Sequence, residues 1–374
     1  MRQSGAMSAS LIVLGSANTD LTVVVDRHPR PGETLLGGDL VTATGGKGAN
    51  QALAAARAGA MPVMLAAVGD DANGRSLLDA LGAGGVDVSS VAVIPDAPTG
   101  VALITLDRAG ENSIVVSPGA NARVDAAAVV ARIDELAGPR TVLLAQLEVP
   151  LAVVEAAARA LERHGARLVL NLSPSRAVEP WLLELCDPLI VNAAEAGDLL
   201  GRAVDAESAA RAAAELLDRC RSVVITLGGA GAVAADSHGA LRREAPRVEV
   251  VDTTGAGDAF AGALAAELAD GGTLASALDR GIAAGAAAVQ WPGRSRPAAD
   301  LPHAGGPGIT RPGSAPGAAE CPGISRSRRF RRNAEGPESH DSGPSEVMQK
   351  ARNLTIPGLL LVAGAGFEPT TSGL

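Results

Sequence analysis

Short apolar runs alternate along the chain with alanine-rich segments whose apolar positions recur every three or four residues. The runs are apolar on both faces, which predicts buried strands, and the segments between them predict helices that end at glycines. The clearest strands are SLIVLGS, MPVMLAAVG, TVLLAQLE, RLVLNLS, PLIVNAAE and SVVITLGGAG, and the clearest helices are GANQALAAARAG and GRSLLDALGAGG. Buried strands joined by helices predict an α/β fold with three α/β/α layers and a mainly parallel central sheet.

Two segments depart from this rhythm. Residues 21–44 and 91–118 alternate apolar and polar positions around Pro/Gly turns, which predicts antiparallel hairpins. Together they predict a small β-sheet that lies over one edge of the main domain as a lid. The alternative is that both hairpins extend the edge of the main sheet.

The composition changes near residue 293. We expect one domain over residues 8–297, followed by a tail over residues 298–374 that is rich in Pro, Gly and Ala and lacks periodicity. Such composition is typical of disorder. The basic run SRSRRFRR within it is interpreted as solvated tail rather than as a nucleic-acid patch.

Composition also narrows the function. Aromatic residues make up 1% of the chain and the net charge is -9, so stacking on bases and binding to a phosphate backbone are both disfavoured, and no nucleic-acid partner is expected. Three cysteines without CxxC spacing predict a reducing compartment. No apolar run reaches the length of a membrane span or a signal peptide, so we expect a cytoplasmic protein without a membrane partner.

The most informative stretch is VEVVDTTGAGDAFAGALAAELADG, residues 248–271. A strand is predicted to end at Asp252, and a tight turn of small residues then opens a helix. Glycines let a ligand approach the backbone, and a helix N-terminus suits an anion. Asp258 in the first turn could simply complement the helix dipole. However, a carboxylate within an anion-binding turn also supplies the groups that phosphoryl transfer needs.

A second glycine-rich turn, TATGGKGANQ at residues 42–51, carries a lysine. A phosphate-binding P-loop requires glycine at the position of Val41 and Ser or Thr at the position of Gly48. The pattern therefore fails at both ends, and Lys47 is not part of a P-loop.

These two stretches resemble the signatures of the ribokinase-like (PfkB-type) carbohydrate kinases. GGKGANQALAAARAG is similar to their N-terminal signature and DTTGAGDAF to their C-terminal one, while GSANTDL, PRPGETLLG, VGDDANG, QLEVP, NAAE and TLGGAGA match in the same order. The resemblance covers residues 11 to about 293. It implies ATP-dependent phosphorylation of D-ribose at its primary 5-hydroxyl to give ribose 5-phosphate, by a homodimer that assembles through the lid.

The resemblance also implies roles for individual residues. Asp258 would be the general base, and the backbone amides of Gly255, Ala256 and Gly257 would form an anion hole. The sugar would be bound by Asn18, Asp20, Gly46, Lys47, Asn50, Glu148 and Asp258. ATP would be bound by Asn192, Glu195, Thr226, Gly228, Gly231 and Gly257, with Asn192 and Glu195 influencing Mg²⁺ on the nucleotide. An activating monovalent cation, usually K⁺, would lie at Asp252, Thr254, Ala288 and Gly293.

Each residue also has a purely structural interpretation. Asn18 and Asp20 could be turn residues after a strand, Asn192 could cap a helix, Glu148 could be a solvated loop acid, and GGAG could be an ordinary strand-to-helix turn. Their joint occurrence at the ends of strands, where open α/β sheets bind ligands, favours a site.

Two departures from the family remain. Ile282 stands where a polar residue usually lies near the adenine, and the match dissolves after residue 293, which suggests a frameshift. Two alternatives therefore stay open: another sugar or nucleoside kinase of the same family, or a non-catalytic remnant that binds a sugar or a nucleotide.

Overall fold

The computed structural model describes residues 9–290, so the predicted tail over residues 298–374 lies outside the described residues. The strands are β1 Leu11–Leu14, β2 Asn18–Val24, β3 Val41–Gly45, β4 Val63–Gly69, β5 Val91–Ile94, β6 Gly100–Leu106, β7 Asn112–Ser117, β8 Val142–Ala145, β9 Arg167–Asn171, β10 Cys186–Asn192, β11 Val223–Thr226, β12 Ala232–Asp236 and β13 Gly239–Arg243. The α-helices are α1 Lys47–Arg57, α2 Ala72–Ala83, α3 Ala126–Leu136, α4 Leu151–Arg163, α5 Pro180–Glu184, α6 Ala193–Leu200, α7 Ala209–Leu216, α8 Ala256–Ala269 and α9 Leu274–Ala288.

A nine-stranded sheet forms the centre of the described domain, in the order β13-β12-β11-β10-β9-β8-β1-β4-β5. Pairing is parallel from β5 to β11 and antiparallel for β12 and β13. Successive strand residues point to opposite faces, so Ile12 and Leu14 pack with α3 and α4, whereas Leu11 and Val13 pack with α1 and α8. The three-layer α/β/α prediction is confirmed.

A second, four-stranded sheet has the order β3-β2-β6-β7. Two antiparallel hairpins, β2-β3 and β6-β7, are joined because β2 pairs with β6 in parallel. The small predicted sheet is therefore present, but its second hairpin begins at Gly100 and not near Val91. Residues 91–94 instead form β5 and pair with β4 at the edge of the main sheet, so this part follows the alternative interpretation.

The strand predicted to end at Asp252 does not form. Residues 244–250 have no regular secondary structure, and Val250 and Val251 are more than half exposed. The N–H groups of Val251 and Asp252 donate to the carbonyl of Val289 at the end of α9 (2.8 and 3.1 Å). The apolar alternation suggested a strand, but these two backbone groups take a helix end as their partner.

Candidate active site

The predicted sugar-binding residues converge at the carboxyl ends of β1 and β8, at the start of β2 and at the start of α1. This is the edge at which open parallel sheets bind ligands. Asn18 and Asp20 share one face of β2 because they are two residues apart, and both are nearly buried (3% and 5% exposed). Polar side chains buried at the end of a strand are typical of a binding site rather than of a solvated turn.

Gly46 brings the start of α1 against β2. Its φ is +86°, a left-handed conformation that glycine adopts readily. A Cβ at this position would lie 2.8 Å from the carbonyl oxygen of Ser16 and 2.9 Å from the backbone nitrogen of Asn18. Only glycine therefore lets the chain turn into α1 this close to β2.

Glu148 is held by groups from two of these segments. Its Oε2 accepts hydrogen bonds from the Ser16 hydroxyl (2.5 Å) and from the Lys47 backbone N–H (3.0 Å). The structure thus brings Glu148 beside Lys47, as the resemblance implied, and fixes the carboxylate rather than leaving it as a solvated loop acid.

Asn121 fixes the orientation of Asn18. Its Nδ2 donates to Asn18 Oδ1 (2.7 Å) and to the Ala17 carbonyl (3.1 Å), and its Oδ1 accepts from the Ala17 N–H (2.9 Å). Gly100 makes room for this pair, since a Cβ there would lie 2.2 Å from Asn18 Oδ1. The bond from Asn121 fixes which side of the Asn18 amide carries the oxygen, and the Asn18 NH₂ would then be a donor for a sugar hydroxyl.

Asp258 lies in the first turn of α8 and is only 7% exposed. Its Oδ2 accepts from Asn50 Nδ2 (3.1 Å) and its Oδ1 from Gln51 Nε2 (3.0 Å). Asn50 therefore contacts the proposed base directly. Both donors belong to α1, and together they keep the carboxylate in place at the N-terminus of α8.

The turn before α8 has some of the features expected of an anion site. Gly255 caps the helix with a φ of +77°, and a Cβ on Gly257 would meet no atom of the described residues within 4 Å. Packing against residues 9–290 therefore does not require glycine at position 257, and the open space beside it would let a ligand approach the backbone. The Ala256 N–H already donates to the Thr253 carbonyl (3.2 Å), so Ala256 is the weakest of the three predicted amide donors.

Four of the six predicted nucleotide residues divide into two groups. Asn192, Thr226 and Gly228 line an open pocket of about 350 Å³ between β10, β11 and α6. Gly231 instead packs against β13, where a Cβ would lie 2.0 Å from the Arg243 carbonyl oxygen. The GGAG segment turns β11 back into the antiparallel β12, and it is not a strand-to-helix turn.

Asn192 and Glu195 also form a reciprocal capping box on α6. Asn192 Oδ1 accepts from the Glu195 N–H and Glu195 Oε2 accepts from the Asn192 N–H, both at 2.8 Å. The helix-cap interpretation of Asn192 is therefore confirmed. One oxygen of each side chain already accepts a hydrogen bond from the backbone of the helix start. The pair therefore offers Mg²⁺ few direct ligands, and the ion would rely on water and phosphate oxygens.

Three of the four predicted cation residues, Asp252, Thr254 and Ala288, lie near one another at the end of α9. Thr254 N–H donates to Asp252 Oδ1 (2.8 Å), and the Asp252 N–H donates to the carbonyl of Val289, next to Ala288. The carbonyl end of a helix favours a cation, so these residues fit a cation bound by oxygens. Gly293 lies outside the described residues. Within residues 9–290 no three His, Cys, Asp or Glu side chains cluster as a metal site.

Neither cysteine in the described part of the chain is a candidate nucleophile. Burial raises the pKa of the Cys220 thiol to about 12 and that of Cys186 well above its ordinary value. Both thiols donate to carbonyls one helical turn earlier. They are packing residues, since the thiolate is the reactive form.

Four polar residues of the site were given no role by sequence reasoning: Ser16, Gln51, Asn121 and Gln146. The helix period offered one signal, because Lys47, Asn50 and Gln51 lie at positions i, i+3 and i+4 on one face of α1. The helix period alone therefore places Gln51 beside Lys47 and Asn50 as a candidate site residue. Asn121 and Gln146 had no such signal, since their partners are distant in sequence.

Comparison with known proteins identifies the family of this chain. The pfkB family carbohydrate kinase model matches residues 8–300. A ribokinase of Haemophilus influenzae is 36% identical over 285 residues, covering 76% of this chain and 93% of that protein, and a ribokinase of Schizosaccharomyces pombe is 38% identical with the same coverage. The structure of Arabidopsis thaliana ribokinase complexed with ribose and ATP has a TM-score of 0.68 and 30% identity, covering 77% of this chain and 94% of that one.

The chain therefore belongs to the pfkB family of carbohydrate kinases. It is an ATP-dependent sugar kinase of the ribokinase type, which confirms the resemblance inferred from the motifs. Within residues 9–290, no helix has the length and apolar character needed to cross a membrane.

Proposed function

We propose that the enzyme phosphorylates D-ribose at its primary 5-hydroxyl with ATP, giving ribose 5-phosphate. The observation that carries the proposal is the position of Asp258, a nearly buried carboxylate oriented by Asn50 and Gln51 in the first turn of α8. A base held there can take the proton of the attacking hydroxyl while the helix N-terminus stabilises the charge on the transferred group.

The sugar would be held by Asn18, Asp20, Lys47, Asn50 and Glu148, which offer donors and acceptors to several hydroxyls. The ribokinases of Haemophilus influenzae and Schizosaccharomyces pombe support ribose as the sugar. The amides of residues 255–257 would bind the phosphoryl group, and the pocket beside Asn192 and Thr226 would bind the nucleotide with Mg²⁺. Asp252, Thr254, Ala288 and Gly293 would hold K⁺.

Asp258→Asn tests the base assignment without changing the shape of the side chain. We expect kcat to fall by roughly 10²- to 10⁴-fold, while ribose binding measured by calorimetry persists. Asp79→Asn on the exposed face of α2 is the matched control and should retain full activity. Undiminished turnover of the Asp258 variant would overturn the assignment.

A substrate panel tests the sugar. Ribose should give a higher kcat/KM than fructose, 2-deoxyribose or a nucleoside, and the reverse order would exclude ribose as the preferred substrate. Binding of ribose and ATP without any product would instead favour the non-catalytic remnant.

We also propose that the protein is a homodimer through the four-stranded sheet. By strand register, Val24, Val41, Ile114 and Val116 lie on the face that carries Asn18 and Asp20, and Leu103 and Val115 lie on the other. All six are about half exposed, and a small sheet with apolar residues exposed on both faces is typical of an interaction surface. Light scattering should give the mass of two chains; the mass of a single chain at micromolar concentration would refute the dimer.

A further inference from the structure

A row of buried and half-buried side-chain amides runs from Asp258 into the sheet. Gln51 and Gln146 are both fully buried. Gln146 Nε2 donates to Gln51 Oε1 (2.5 Å), and Gln51 Nε2 donates both to Asp258 Oδ1 and to Asn171 Oδ1 (3.0 Å each). Asn171 is in turn anchored, because its Nδ2 donates to the Ile190 carbonyl (3.3 Å). We call Gln51, Gln146 and Asn171 the amide relay.

The carboxylate of Asp258 dictates the orientation of both glutamines in the amide relay. An ionised carboxylate only accepts hydrogen bonds, so Gln51 must turn its NH₂ toward Asp258. The Gln51 oxygen then points to Gln146, so Gln146 must donate from its own NH₂. Flipping either glutamine would bring two oxygens together.

One unsatisfied atom supports this direction. Gln146 Oε1 is buried and has no hydrogen-bond partner among residues 9–290. It faces Gly15 instead, where a Cβ would lie 1.9 Å away. A buried acceptor without a donor is costly, and the opposite orientation of Gln146 would place its oxygen against that of Gln51. The fold thus leaves one acceptor unsatisfied while two donors, from Gln51 and Asn50, face Asp258.

We propose that Gln51 is a positioning residue for the catalytic base, and that Gln146 acts through it by fixing which end of the Gln51 amide faces Asp258. Neither glutamine needs to touch the sugar for this role. The inference rests on Asp258 being the base, as proposed above.

Three variants separate hydrogen bonding from packing. Gln51→Met keeps the side-chain length but removes the donor, and kcat should fall roughly tenfold or more, because a bond to a charged group is lost. Gln51→Glu is closer in shape, yet it places a second carboxylate against Asp258, so its kcat should fall further than that of Gln51→Met. Gln146→Glu should also lower kcat, since a charged acceptor opposite Gln51 Oε1 favours the flipped amide.

The controls distinguish a positioning role from lost stability. Val154→Ala removes buried side-chain volume from the apolar core on the other face of the sheet, and it should lower the melting temperature while leaving kcat unchanged. Ribose affinity, measured by calorimetry without ATP, should stay within about threefold of the wild-type value in Gln51→Met. The inference is overturned if Gln51→Glu is as active as the wild type, or if it is more active than Gln51→Met. An inactive Asp258→Asn alongside a fully active Gln51→Met would refute the relay alone, whereas an active Asp258→Asn would refute the base.

Discussion

Gly257→Ala should change stability and activity in opposite directions. Position 257 is the second residue of α8, and a Cβ there would meet no atom of the described residues within 4 Å. Alanine is a better helix former than glycine by up to about 1 kcal/mol, and nothing in the described fold has to move to accept it. For a domain of this size we expect the melting temperature to rise by about 1–4 °C.

Turnover should fall in the same variant. If the phosphoryl group binds against the amides at the start of α8, the new methyl group occupies part of the space through which it approaches. Losing one amide donor of an anion hole costs about 10²- to 10³-fold in kcat. Because alanine keeps its N–H, we expect a smaller loss, at least about tenfold in kcat/KM for ATP.

Gly82→Ala is the matched control. Gly82 lies in α2, and a Cβ there also meets nothing within 4 Å. This variant should gain similar stability and keep full activity. Melting temperatures and steady-state kinetics of both variants decide the question: a stabilised Gly257→Ala enzyme with wild-type kcat/KM would show that no ligand uses this turn.

Two further variants test residues that hold β2 and β6 in place. Asn121→Leu removes the donor to Asn18 Oδ1 and should raise the KM for ribose by roughly tenfold while leaving the KM for ATP unchanged; equal changes in both constants would argue against a role in orienting Asn18. Asp71→Ala should destabilise the fold by about 1–2 kcal/mol, since Asp71 caps α2 and bonds Thr99 just before β6. Burial raises the pKa of Asp71, but bonds from the Thr99 hydroxyl, the Thr99 N–H and the Gly74 N–H outweigh burial and hold the pKa below its ordinary value. This stabilisation is complete above the ordinary pKa near 4 and is lost as the pH falls through the lower folded value, so the difference in melting temperature from the wild type should narrow below about pH 4.

The sequence predicted the layers of the fold well, because buried strands and amphipathic helices have distinct apolar periods. It failed where an alternating pattern had two possible partners. Residues 91–94 begin a segment that was predicted to be a hairpin, yet they pair with β4. Val250 and Val251 resemble a strand, yet the N–H groups of Val251 and Asp252 donate to the end of α9. Which backbone groups a segment pairs with depends on the assembled fold, and the local pattern of apolar residues does not carry that information.

The candidate site was also predicted only in part. Family motifs predicted Asp258, Asn50 and Glu148 as site residues, but side-chain pairs such as Gln51 with Gln146 join residues 95 positions apart. A buried glutamine and an exposed one are identical in sequence. The direction of a side-chain amide is set only by its partners, so the amide relay could not be predicted before the fold was known.

Variants of Asn121 and Gln51 should combine differently from variants of Gln51 and Gln146. Asn121 donates to Asn18 on β2, whereas Gln51 on α1 donates to Asp258, so the two pairs consist of different residues. Variants without shared partners usually add in free energy, whereas residues of one network couple. Asn121→Leu with Gln51→Met should therefore multiply their separate losses in kcat/KM, while Gln146→Glu should add little to Gln51→Met, because the amide it would flip is already gone. If the second pair multiplied as fully as the first, Gln146 would act by a route other than Gln51.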